Sequence, residues 1–108
     1  MDSVKDIHWI GSSKADLLEF PVSARAEAGY QLHLIQTGEE PSDWKPMQTV
    51  GPGVREIRIR DAAGAFRVLY VANIGDAVYV LHCFQKKTQK TSQRDLQLAQ
   101  ARFKQIER

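Results

Sequence analysis

From Val54 to Asp61 the apolar and polar residues change places every second position, and that period belongs to a strand with one buried face and one open face. In Val54 to Arg60, Ile57 and Ile59 fall on one side, while Glu56, Arg58 and Arg60 fall on the other. Two further strands are predicted, Phe66 to Ala72 and Ala77 to Phe84. The links at Asp61–Ala65 and Asn73–Asp76 are too short for crossovers, so the three should form an antiparallel meander.

Upstream the pattern changes. Asp6 to Ile10 alternates and predicts a first strand ending at Gly11. Ser12 or Ser13 then caps a short helix, with Asp16 three residues after Ser13 in the capping-box position and Leu17, Leu18 and Phe20 as its apolar side. Pro21 suits the first turn of a second helix, where Ala24, Ala28, Leu32 and Ile35 recur at helical spacing through about Gln36. Gly38 closes it, and Glu39 to Gly53, with Pro41, Pro46, Gly51 and Pro52, reads as a loop. Downstream, Ser92 with Asp95 matches a cap, and Leu96, Ala99, Phe103 and Ile106 mark a last amphipathic helix. The expected fold is α+β in the order β-α-α-β-β-β-α, a small antiparallel sheet with two N-terminal helices and a C-terminal one.

At 108 residues, residues 1–108 make one domain, and an apolar share of 43% is enough for its core. One cysteine, Cys83, forms no internal disulfide, and the reading is a small buried residue in a reducing compartment. No apolar run nears the ~18 residues of a membrane span and no signal-peptide pattern opens the chain, so the expected location is the cytoplasm. The net charge is only +2, but residues 1–50 hold four Lys or Arg against eight Asp or Glu, whereas residues 86–108 hold seven against two. Positive potential is thus concentrated after the last strand, which fits nucleic acid or an acidic protein partner.

Nothing matches a phosphate-cradling glycine loop, a metal-ligand spacing or a nucleophile elbow. What remains is a set of cations: Arg58, Arg60, Arg67, Lys86 and Lys87, with Lys90 and Arg94 behind them. The planar fork of Arg matches phosphate oxygens and Lys is a compact point charge, so the set is suited to holding RNA and stabilising a developing phosphorane. His82, an imidazole beside these cations, is a candidate proton carrier, but shares the strand parity of Val78, Val80 and Phe84, which also fits a core residue. His8 and His33 read as structural or exposed and Trp9 as core, while Tyr70 and Tyr79 are either core or rim residues or platforms on which a base stacks. Trp44, in the polar PSDWKP segment, is either a lid on the core or a partner contact.

The run GVREIRIRD…GAFRVLY…AVYVLHCFQKKTQKT, with FP…R…G…L…QTGE…P…KPM…G before it, resembles the RelE/ParE toxin superfamily, most of all its phage-derived HigB-like toxins of type II toxin–antitoxin systems. The resemblance implies a ribosome-dependent mRNA endonuclease without metal or other cofactor, neutralised by a helix-turn-helix antitoxin. It implies that the RNA 2′-hydroxyl attacks the adjacent phosphate while Arg67, Arg58, Arg60, Lys86 and Lys87 stabilise the transition state. Several relatives carry a Tyr or His near the C-terminus, but this chain has no Tyr after Tyr79 and no His after His82. Arg stays protonated, so any proton acceptor must be a Lys of depressed pKa, His82 or Glu56. A ParE-like gyrase inhibitor without nuclease activity and a plain RNA-binding module are the competing expectations.

Overall fold

In the computed structural model, which describes residues 4–106, the alternation of the central segment becomes three long antiparallel strands. They are β3 (Val54–Asp61), β4 (Gly64–Val71) and β5 (Ala77–Lys86), paired in sequence through tight turns. Before them come β1 (Asp6–Trp9), α1 (Ser13–Leu18), α2 (Val22–Gln36) and β2 (Trp44–Pro46); after them comes α3 (Gln93–Lys104).

The α+β class is as expected, but the order is β-α-α-β-β-β-β-α and the sheet is mixed rather than antiparallel. Five strands lie in the order β1-β5-β4-β3-β2, with β1 parallel to β5. The extra strand, β2, falls within the segment expected to be a loop. It is three residues long and has a proline at its edge, too short to show a period, and pairs with β3 from Trp44 opposite Ile57 to Pro46 opposite Arg55. Trp44 is neither lid nor deep core: the Arg55 guanidinium lies 3.9 Å from its ring centroid, a cation–π contact at the sheet edge.

Each sheet face has its own core. On one, Ile57, Ile59, Phe66, Val68, Tyr70, Val78, Val80 and Cys83 meet Leu17, Phe20, Ala24, Ala28, Leu32 and Ile35 of the first two helices. The small Ala24 and Ala28 let α2 approach closely. Leu18, expected on the apolar side of α1, is instead half exposed. On the other face Val54, Leu69, Val71, Leu81 and Phe84 pack against Ala99, Phe103 and Ile106 from α3 and just beyond it, with Met47 and Val50.

Of the two serines that could cap α1, only one stands in the cap position. Ser13 caps nothing: it is fully buried, and its hydroxyl donates to the Val80 carbonyl at 3.1 Å. Ser12 holds the cap position, and its hydroxyl donates to Asp16 Oδ2 at 2.8 Å. At the far end the cap is as expected, with Ser92 Oγ accepting from the Asp95 amide at 3.1 Å. No helix among the described residues is long and apolar enough to cross a membrane.

Candidate nucleic-acid interface

Because α3 covers only part of its face, the rest of that face is left to charged residues. Register fixes them in rows across the strands: Lys45, Glu56, Leu69 and His82; then Arg58, Arg67 and Phe84; then Arg60, Ala65 and Lys86. Neighbouring strands are ~4.8 Å apart, so side chains in one row are within reach of one another, and long side chains span the roughly 7 Å to the next row.

Glu56 sits at the middle of this lattice. The alternation places it with the open-face residues, yet it is fully buried. Arg67 Nε lies 3.4 Å and Lys45 Nζ 3.8 Å from Glu56 Oε1, while the Thr91 hydroxyl donates to Glu56 Oε2 at 3.0 Å. Oε1 and Arg67 Nε form no hydrogen bond, so that contact is an ion pair held by charge rather than by alignment. Arg67 is itself mostly buried, and its Nη1 donates to the Phe66 carbonyl at 3.1 Å.

Arg58 is more exposed and donates from Nε and Nη2 to Asp43 Oδ1 at 2.9 and 2.7 Å. Lys86 is half-buried at the end of β5, and its pKa is lowered from the ordinary lysine value. Burial is the largest cause, and the Arg67 charge is next; Lys45 and Arg58 add to the depression, and Glu56 opposes it.

The cations predicted from sequence therefore divide. Arg58, Arg67 and Lys86 converge, and Lys45 and Glu56 complete the cluster. Arg60 shares their face but is exposed, with no ion pair among the described residues. Lys87 and Lys90 are exposed on the irregular segment between β5 and α3. Arg94 stands away from the cluster, on a groove of about 720 Å³ between α1 and α3. That groove also carries Asp16, Glu19 and Asp95, the wrong sign for RNA phosphate, so the open sheet face and not this hollow is the candidate interface.

His82 has the opposite orientation from the one its parity predicts. A β-bulge between β4 and β5 pairs Leu69 with His82 but Tyr70 with Val80, so Leu81 is the extra residue. Val78 and Val80 face α1 and α2, whereas His82 and Phe84 face α3. There His82 Nε2 meets Asp95 Oδ1 at 2.7 Å, the ring stacks on Phe84, and Nδ1 is buried without a hydrogen-bond partner among the described residues. The side chain is buried and its Nε2 is engaged by Asp95 of α3, which favours a role in anchoring that helix.

Arg102 is a residue the sequence reading passed over. It is buried, donating from Nη1 to the Leu81 carbonyl and from Nη2 to Ser12 Oγ, each at 2.9 Å. Its guanidinium therefore satisfies the carbonyl of the bulged residue. It also lies so close to Gly11, which has φ of +59°, that a Cβ there would come within 2.6 Å of Nε. Among the described residues, no group of three His, Cys, Asp or Glu side chains has metal-binding geometry.

Curated proteins give no match to this chain. A family model does match, described as phage-derived protein Gp49-like (DUF891), over residues 15–104. That span runs from α1 through α3 and takes in every strand of the cationic face, so the chain belongs to the phage-derived Gp49-like family.

Proposed function

We propose that this protein is the toxin of a type II toxin–antitoxin pair and a ribosome-dependent mRNA endonuclease of RelE/HigB type. The observation that carries the reading is the convergence of Arg58, Arg67, Lys86 and Lys45 from four strands onto one open sheet face, around a buried carboxylate. Membership of a phage-derived family and an α+β fold compatible with the RelE-like one support it.

In this reading the RNA 2′-oxygen bonds to the adjacent phosphorus and the bond from phosphorus to the 5′-oxygen breaks. Arg67 and Arg58 face the phosphorane charge, where fixed cations lower the barrier most. Lys86 is the best-placed proton acceptor for the 2′-hydroxyl: its lowered pKa enlarges the neutral fraction, and unlike His82 it reaches solvent. The departing 5′-oxygen takes its proton from solvent. The neutralising partner is a helix-turn-helix antitoxin whose acidic segment covers Lys86, Lys87 and Lys90, and the site of action is the cytoplasm.

Purified protein added to ribosomes programmed with a defined message tests this. Cleavage of the ribosome-bound message is the expected result. Intact message together with inhibition of purified gyrase in a supercoiling assay would overturn it in favour of a ParE-like inhibitor.

A further inference from the structure

A carboxylate buried among cations needs an explanation, because a buried charge is costly unless it is paired. Glu56 has an apolar row neighbour in Leu69, and an apolar residue would be the simpler occupant of its position. Its contacts instead reach three separate parts of the chain: Lys45 on β2, Arg67 on β4, and Thr91 where the irregular basic segment turns into α3. The Thr91 hydrogen bond ties down one end of that segment, and β5 holds the other. For Arg67, Nη1 donates to the Phe66 carbonyl and Nε is ion-paired with Glu56 without a hydrogen bond, while Nη2 makes no hydrogen bond among the described residues. The guanidinium is thus held by one hydrogen bond and by the Glu56 charge, with donors left over for a phosphate.

We propose that Glu56 is the positioning residue of the cationic face: its buried carboxylate fixes the Arg67 guanidinium and anchors the Lys87–Lys90 segment, so that their donors meet a phosphate already aligned. The inference rests on the reading of that face as an RNA-cleaving site. It has a second consequence for Lys86. The charged groups around that amine are Arg67 on β4, Arg58 and Glu56 on β3, and Lys45 on β2, of which Glu56 alone is negative. Removing its charge leaves three cations acting on Lys86 without opposition, so the amine must lose its proton at still lower pH.

The test compares the parent with Glu56→Gln and Glu56→Asp in two measurements. In the first, NMR of the lysine amines follows the titration of Lys86 in free protein. The proposal expects it at lower pH in Glu56→Gln than in the parent, with Glu56→Asp between them. In the second, single-turnover cleavage on programmed ribosomes is followed against pH, with a thermal melt to confirm folding. Glu56→Gln should cleave on the order of 10-fold to 10²-fold more slowly at saturating ribosome concentration, as expected for a misplaced catalytic group, and Glu56→Asp should recover part of the loss. Unchanged Lys86 titration in folded Glu56→Gln, or cleavage equal to the parent, would overturn the proposal. A parent that cleaves nothing, in which the Arg67 guanidinium and Lys87–Lys90 amide signals still broaden or shift on loss of Glu56, would sink the nuclease reading and leave the positioning role standing.

Discussion

Replacing Arg67 with Ala should damage both stability and activity, and the two effects can be separated. The substitution leaves the fully buried Glu56 carboxylate without its nearest cation, which now stands 3.4 Å away. Removing one partner of a buried ion pair typically costs about 3–5 kcal/mol. Here Lys45 at 3.8 Å and the Thr91 hydrogen bond at 3.0 Å remain, although the Lys45 side chain is 42% exposed and its charge is screened by solvent. The low end, about 3 kcal/mol, is therefore expected. For a domain of this size that lowers Tm by roughly 12 °C or more. Activity should fall on the order of 10²–10³-fold, the usual loss for one transition-state contact. Arg67→Met with Glu56→Gln removes both charges; it should recover most of the lost stability and none of the activity. Thermal melts and single-turnover cleavage on programmed ribosomes read the two quantities. An Arg67→Ala protein that melts with the parent would refute the buried-pair argument, and a double variant that cleaves like the parent would remove Arg67 from the mechanism.

Other outcomes follow from the same contacts. His82→Gln should lower Tm by loosening the Asp95 contact that holds α3, while the cleavage rate of the folded protein stays nearly unchanged; a large rate loss without destabilisation would make His82 a proton carrier. Arg102→Met should destabilise by about 1.5–3 kcal/mol in urea unfolding, since the Leu81 carbonyl loses a charged donor; an unchanged midpoint would mean that water replaces it. Burial pushes the Cys83 thiol well up, so it should react with a thiol reagent only after unfolding, and fast labelling of native protein would contradict the core assignment. Lys86 has a folded pKa below its unfolded value, so its charge opposes folding at neutral pH. Stability should rise as pH climbs through the folded pKa toward about 10.5, and a parent minus Lys86→Met difference with no such rise would contradict the depression.

The three long strands and the capped last helix were legible because local pattern decides them: period two in Val54–Asp61, short apolar β-branched and aromatic runs between tight turns after it, and Ser92 before Asp95. What escaped depends on contacts distant in sequence. The parallel pairing of β1 with β5 joins residues about seventy positions apart, and β2 is too short for any period. Glu56 looked solvent-facing because a charge at an alternate position normally is; its burial depends on Arg67, Lys45 and Thr91 arriving from elsewhere. His82 was assigned to the wrong face because one bulged residue reverses parity, and no residue type in that stretch announces a bulge. For the site itself, Arg58 and Arg67 were legible as cations on strand faces, whereas Lys86 was expected beyond the last strand, which in the structure runs two residues further than its apolar run. Lys45 was hidden in the presumed loop, and Arg102 sat in the amphipathic pattern of α3 as if on its polar side.

Mapping message ends after brief expression in bacteria tests the central claim most directly, with the Arg67→Met and Glu56→Gln double variant as the folded control. Attack by the 2′-hydroxyl leaves a 5′-hydroxyl on the downstream fragment, so the prediction is new 5′-hydroxyl ends inside ribosome-occupied codons for the parent and none for the control. Intact messages in cells whose growth the parent arrests would contradict the reading of this cationic face as an RNA-cleaving site.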